Sequence, residues 1–93
     1  MYSLISLSVK NDNRGRVSVS VLCGGDRVDL TLAPGEPRKI NLDKAKEGSV
    51  IDVHIGQNIT TVPTFQFEYS ENGAMITVIY DENGKPRWTS FRP

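Results

Sequence analysis

Ninety-three residues carry 11 Lys and Arg against 11 Asp and Glu, a formal net charge of zero, which excludes a nucleic-acid protein that works through bulk positive charge. Hydrophobic residues are 38% and charged residues 24%, the balance of an ordinary folded domain and not of a disordered chain. The length suits one domain, 1–93, with one thin core and no deep cleft between domains.

Taken in chain order, the dominant period is two. The run Tyr2-Ser3-Leu4-Ile5-Ser6-Leu7 opens a first strand at about 2–9, and it lacks the basic flank and long apolar stretch of a signal peptide. Asn11-Asp12-Asn13-Arg14-Gly15 interrupts it. Over about 16–23, Val17, Val19, Val21 and Cys23 alternate with Ser18, Ser20 and Leu22, a half-buried strand with a hydroxyl-rich outer face. Gly24-Gly25-Asp26 makes a tight hairpin into a strand at about 27–32, where Val28, Leu30 and Leu32 alternate with Asp29 and Thr31. Ala33-Pro34-Gly35-Glu36-Pro37 turns the chain into a strand at about 37–42. Asp43 to Gly48 is the best helical candidate, about one turn long, with Asp43 able to cap it and Gly48 to end it; it reads as a crossover between sheets. Ile51, Val53 and Ile55 alternate with Asp52 and His54 over about 49–55, and Gly56-Gln57-Asn58 and Pro63 supply the next break.

The C-terminal third contains an internal echo, Tyr69-Ser70-Glu71-Asn72-Gly73 and Tyr80-Asp81-Glu82-Asn83-Gly84. Asn-Gly between alternating runs is a strong hairpin signal. Two copies predict a three-stranded meander from Thr64 to Phe91, with strands at about 64–70, 74–80 and 86–91. A two-residue Asn72-Gly73 turn sets Tyr69 opposite Ile76, Phe67 opposite Val78 and Phe65 opposite Tyr80. A three-residue turn ending at Gly84 sets Val78 opposite Trp88. One face then carries Phe65, Phe67, Tyr69, Ile76, Val78, Tyr80 and Trp88, the expected core. The stretch Tyr80-Asp81-Glu82-Asn83-Gly84-Lys85-Pro86-Arg87-Trp88 resembles one unit of the MORN-variant repeats, which are longer and run in tandem. Hairpin chemistry accounts for the same residues. The order strand, Leu32-Ala33-Pro34-Gly35-Glu36, strand is similar to that of immunoglobulin-like bacterial sandwiches, which implies an architecture and no activity.

Few residues suggest chemistry. His54, the one histidine, lies on the polar side of its strand and reads as a surface residue; a base or metal ligand needs companions that the pattern does not supply. Cys23 alternates with inward valines, so it reads as a small buried hydrophobe and not as a nucleophile. The acidic turns Asn11-Asp12-Asn13 and Asp81-Glu82-Asn83 lack the spacing of a calcium loop and are what turns require. Gly24-Gly25 lacks the spacing of a phosphate loop, and Asn58-Ile59-Thr60 fits the glycosylation pattern. A single cysteine permits no intrachain disulfide, and no run approaches the ~20 apolar residues of a membrane span. The expected compartment is therefore the cytoplasm, with a virion surface as the other setting.

The expected fold is all-β: an antiparallel sandwich, immunoglobulin-like or a flattened barrel, of seven or eight strands ending in the meander. No catalytic, cofactor or metal site is expected. The expected function is a small non-enzymatic interaction or structural module that binds a protein through a sheet face or edge, with a homo-oligomer among the forms this takes. A virion component or an inhibitor of a host enzyme from a phage or mobile element would fit the size. The contact residues expected are Lys85, Arg87, Trp88, Phe91 and Arg92, with Met75 and Ile79 from a strand apolar on both faces. The alternative is a carbohydrate- or ligand-binding sandwich using Trp88, Tyr2 or Phe91 as a platform.

Overall fold

A computed structural model describes residues 1–56 and 62–92. It contains eight strands: β1 (Tyr2–Asn11), β2 (Val17–Cys23), β3 (Asp26–Leu32), β4 (Pro37–Ile40), β5 (Val50–Ile55), β6 (Phe65–Tyr69), β7 (Ala74–Tyr80) and β8 (Pro86–Phe91). Among the described residues no helix is long and apolar enough to cross a membrane. The segment after β4 is a pair of turns, closed by Ala45 N–H to Leu42 C=O at 2.9 Å and Ser49 N–H to Lys46 C=O at 2.8 Å. Asn58-Ile59-Thr60 lies outside the described residues.

All eight strands belong to one sheet in the order β3-β2-β5-β6-β1-β7-β8, with β4 paired to β1 as well. The expectation of an antiparallel sandwich is corrected here. The chain is all-β, but the sheet is mixed and not closed, because β1 runs parallel to both β6 and β7. The sheet curls strongly. Phe67 on β6 and Trp88 on β8 are three strand spacings apart, about 14 Å in a flat sheet, yet their rings meet at 5.4 Å, edge to face. The two ends of the sheet therefore enclose one core, which Leu7, Val19, Leu32, Val53, Phe67 and Val78 share.

β1 organises this arrangement. One of its edges pairs with β6 over Tyr2 to Leu4 and with β4 over Leu7 to Lys10; the other pairs with β7 from Leu4 to Asn11. A bulge between Leu4 and Ser6 shifts the register. Inward positions are even before it (Leu4) and odd after it (Leu7, Val9, Asn11), so both halves of a bent strand face the core.

The predicted hairpin between β6 and β7 does not form. β6 ends with Tyr69 beside Leu4, and β7 starts with Ala74 beside the same residue on β1's opposite edge. Residues 70–73 carry the chain across the β1 backbone without reversing it. Ser70 N–H donates to Leu4 C=O at 2.9 Å, and Gly73 N–H closes the turn on Ser70 C=O at 2.9 Å. Neither Asn72 nor Gly73 has a positive φ, so the type I′ geometry behind the hairpin signal is absent. Gly73 serves by lacking a side chain: a Cβ there would lie 2.5–2.7 Å from the backbone N, Cα and C of Leu4. The pairings of Tyr69 with Ile76, Phe67 with Val78 and Phe65 with Tyr80 are thus replaced by pairings of both strands to β1. The expected face survives: Phe67, Ile76 and Val78 are buried, and Phe65, Tyr69, Tyr80 and Trp88 pack against them.

The second Asn-Gly behaves as predicted. β7 and β8 pair antiparallel with Val78 opposite Trp88, and Gly84 at φ +74° closes the three-residue turn. β7 is an interior strand, paired to β1 and β8, one place in from the end of the sheet. β3 ends the sheet, so Val28 is exposed and Leu30 only half-buried, against the inward reading of that strand.

Asn11 ends β1 fully buried. Its Nδ2 donates to Gly15 C=O at 2.8 Å and Leu32 C=O at 3.1 Å, and its Oδ1 accepts from Asn13 N–H at 2.9 Å. What reads as the start of a turn is a buried tie between β1 and the end of β3.

Two stability measurements check these assignments by urea denaturation. Gly73→Ala is expected to cost about 3 kcal/mol or more, since backbone cannot yield to the added methyl, whereas Gly84→Ala costs about 1–2 kcal/mol for its left-handed φ. Asn11→Ala is expected to cost about 2–3 kcal/mol by orphaning two carbonyls and an N–H.

Candidate functional site

The outward positions of β7 are Met75, Thr77 and Ile79, and β1 and β8 flank them in register. Three rows cross the face: Ser6–Met75–Phe91, Ser8–Thr77–Thr89 and Lys10–Ile79–Arg87. β4 extends the second with Lys39 and the third with Pro37. One row is apolar, one hydroxyl and one basic. Phe91 is 67% exposed and Met75 45%, neighbours at the C-terminal end of β8. Ile79, expected with Met75 as a contact residue, is only 9% exposed. It stands between Lys10 and Arg87 in the register, the kind of neighbour whose long aliphatic stem lies along apolar surface while its charge reaches water.

The opposite face of β8 turns inward. Trp88 is half-buried, stacked at 4.9 Å and 53° on Tyr2 and meeting the Phe67 ring. Tyr2 Oη donates to Ser90 Oγ at 3.2 Å. Ser90, followed by Arg92, holds the Tyr2 phenol below its ordinary pKa. Of the residues expected to contact a partner, Met75, Ile79, Arg87 and Phe91 share one face. Lys85 lies in the turn, Arg92 follows the strand, and Trp88 belongs to the core side. Lys85, Arg87 and Arg92 are exposed and make no ion pair among the described residues. An acidic groove of about 450 Å³ at the turn end of β8 is lined by Asp12, Asp81, Glu82, Asn83 and Arg87.

Two other places carry reactive residue types. A cavity of about 390 Å³ lies between the β2–β3 hairpin and residues 41–45, lined by Val21, Val28, Ile40 and Leu42 with Cys23. The ion pair Lys44–Asp26 at 3.6 Å spans the same hairpin and segment. Burial, then the charge of Asp26, pushes the Cys23 thiol above its ordinary pKa, which lowers its thiolate fraction. Cys23 is half-buried, more open than expected.

The surface reading of His54 is corrected: it is only 8% exposed. It faces Ser20 on β2, which faces Asp29 on β3, so three residue types of a hydrolase triad lie in one row. Their order is wrong for that chemistry. Ser20 stands in the middle and donates its proton to Asp29, which Arg27 Nε also holds at 2.9 Å. A serine nucleophile needs the imidazole beside it and the carboxylate beyond the imidazole. Among the described residues no group of three or more His, Cys, Asp and Glu side chains could hold a metal ion. The Asn13 amide is committed to the carbonyls of Asp81 and Glu82 at 3.1 and 3.3 Å.

No family model, curated protein or solved structure matches the chain. The site is therefore read from its own geometry. Lys10 and Lys39 belong to the basic and hydroxyl rows, and neither was legible as such. Their place beside β7 depends on the crossover at Leu4, which no local pattern announces.

Three carboxylates are held below their ordinary pKa: Asp29 by the Ser20 hydroxyl and then Arg27, Glu36 by Ala33 N–H and then Arg38, and Glu47 by the Ser70 hydroxyl and then Glu71 N–H. A depressed folded pKa stabilises above the unfolded value and is lost as pH falls through the folded one. The urea midpoint is expected to be flat from pH 7 to about 5 and to fall below it. Glu47→Gln, which weakens the tie to the crossover turn, makes that fall shallower.

Proposed function

We propose that the chain is a small non-enzymatic protein-interaction module that binds a polypeptide along β8 and the outer face beside it. One observation carries this reading. β8 ends an unclosed sheet, and its exposed side chains put Phe91 beside Met75, with Arg87 in the same strand and Arg92 in its continuation, both outside any ion pair among the described residues. An open strand offers main-chain hydrogen bonds to an added strand, and its alternate side chains supply selectivity. Phe and Arg on such an edge are the residue types that anchor protein interfaces.

A carbohydrate platform is supported less. It needs an aromatic face turned flat to water, and Trp88 spends its surface on Tyr2 and Phe67.

A photo-crosslinking residue placed at position 91, and in a second variant at position 28 on β3, tests this in native cells. Polypeptide adducts are expected from position 91. Adducts from position 28 alone, or none from 91, overturn the reading. Phe91→Asp is expected to reduce capture at least tenfold without lowering the urea midpoint, as an exposed anchor behaves.

A further inference from the structure

We infer that the polypeptide bound by β8 is a second copy of this chain, added antiparallel about a two-fold axis at Thr89; this rests on the reading of β8 as a binding edge. The hairpin register decides which backbone groups of β8 are free. Asp81 N–H donates to Lys85 C=O at 3.1 Å, while Tyr80 C=O accepts from Asp12 N–H at 2.8 Å, on the side away from β8. Antiparallel strands alternate hydrogen-bonded and non-hydrogen-bonded pairs. Arg87, Thr89 and Phe91 therefore turn their N–H and C=O groups toward β7. Pro86, Trp88, Ser90 and Arg92 turn theirs out of the sheet. Pro86, which has no N–H, fits at an outward position, where it breaks no bond to β7.

An axis at Thr89 uses this whole edge. Trp88 of each copy faces Ser90 of the other, and each such pair exchanges both hydrogen bonds. Arg92 N–H faces Pro86 C=O, so the proline removes one bond at each end and leaves the ladder intact. Arg87 faces Phe91 in a non-hydrogen-bonded pair, where side chains approach most closely. The guanidinium then lies against the exposed ring. The two Thr89 side chains meet at the axis, a favourable cross-strand pair.

The charges are self-complementary in this direction. The turn before β8 holds Asp81, Glu82 and Lys85, net −1, and Arg92 follows its end with +1. Antiparallel pairing sets each Arg92 beside the other copy's acidic turn, whereas parallel pairing sets like ends together. β3, the other end of the sheet, offers less. Its charges are spent within the chain, Arg27 on Asp29 at 2.9 Å and Asp26 on Lys44 at 3.6 Å.

Sedimentation equilibrium of the full chain over roughly 10–500 µM, the range of a small interface, tests this. A monomer–dimer equilibrium that weakens with salt is expected. Arg92→Glu and Glu82→Arg are each expected to weaken self-association at least tenfold, and an equimolar mixture of the two variants restores a dimer. Ser90→Pro, which removes two outward N–H groups per dimer, gives a monomer with an unchanged circular dichroism spectrum. If that variant unfolds, the mixing experiment still decides. A wild-type monomer at 500 µM, or a mixture that fails to restore the dimer, overturns the inference. A monomer that still crosslinks from position 91 to another polypeptide overturns the second copy and leaves the binding edge standing; absence of both removes both.

Discussion

The structure depends on one close approach, where residues 70–73 pass over the backbone of β1 at Leu4. The chain arrives on one edge of β1 as β6 and leaves on the other as β7, keeping its direction. Only a residue without Cβ can take the closest point, and Gly73 takes it. Leu4 is fully buried there, held from above by Ser70 N–H and on both sides by Tyr69 and Ala74. Glu47 fastens the turn from outside by accepting Glu71 N–H at 2.9 Å, and Gly48 N–H donates to Tyr69 C=O at 2.9 Å. The turn is thus fixed by backbone contacts on two sides, and a local repacking of side chains cannot relieve an intrusion.

The crossing also decides where the sheet ends. With β1 paired on both edges, β7 has one edge left, and the β7–β8 hairpin fills it with β8. Among the described residues no strand pairs with the far edge of β8. The free edge, the apolar pair Met75–Phe91 and the exposed arginines Arg87 and Arg92 are consequences of the same topology. The second end, β3, is closed chemically: Ser20 and Arg27 hold Asp29, and Lys44 reaches Asp26. The two ends of one sheet therefore differ in how much of their charge is already used.

Local chemistry was legible and connectivity was not. The eight strands and the Gly84 turn follow from period-two alternation and from residues whose backbone preferences are strong. Asn72-Gly73 carried the same signal as Asn83-Gly84 and misled, because a glycine chosen for its missing Cβ looks the same as one chosen for positive φ. The core face of Phe67, Ile76 and Val78 was nevertheless right, since β6 and β7 both keep their phase against β1. At the site, Arg87 and Phe91 were readable as edge residues. The burial of Ile79 and His54 was not, since each lies on a strand flanked on both sides, and strand neighbours are set by tertiary pairing. Asn11 looked like a turn residue because its amide ties two distant segments, a role that sequence spacing does not encode.

The central place of β1 has a consequence for synthesis. Of the eight strands, β1 leaves the ribosome before the others, yet it needs partners made late, since β6 and β7 lie more than 50 residues downstream. At about 5–20 residues per second, Asn11 waits roughly 3–14 s for Tyr80, its partner on β7. During that interval β1 has β4 on part of one edge and nothing on the other. A nascent chain so arranged is exposed to chaperones and to neighbouring nascent chains for the whole time, and its core closes only when β7 emerges.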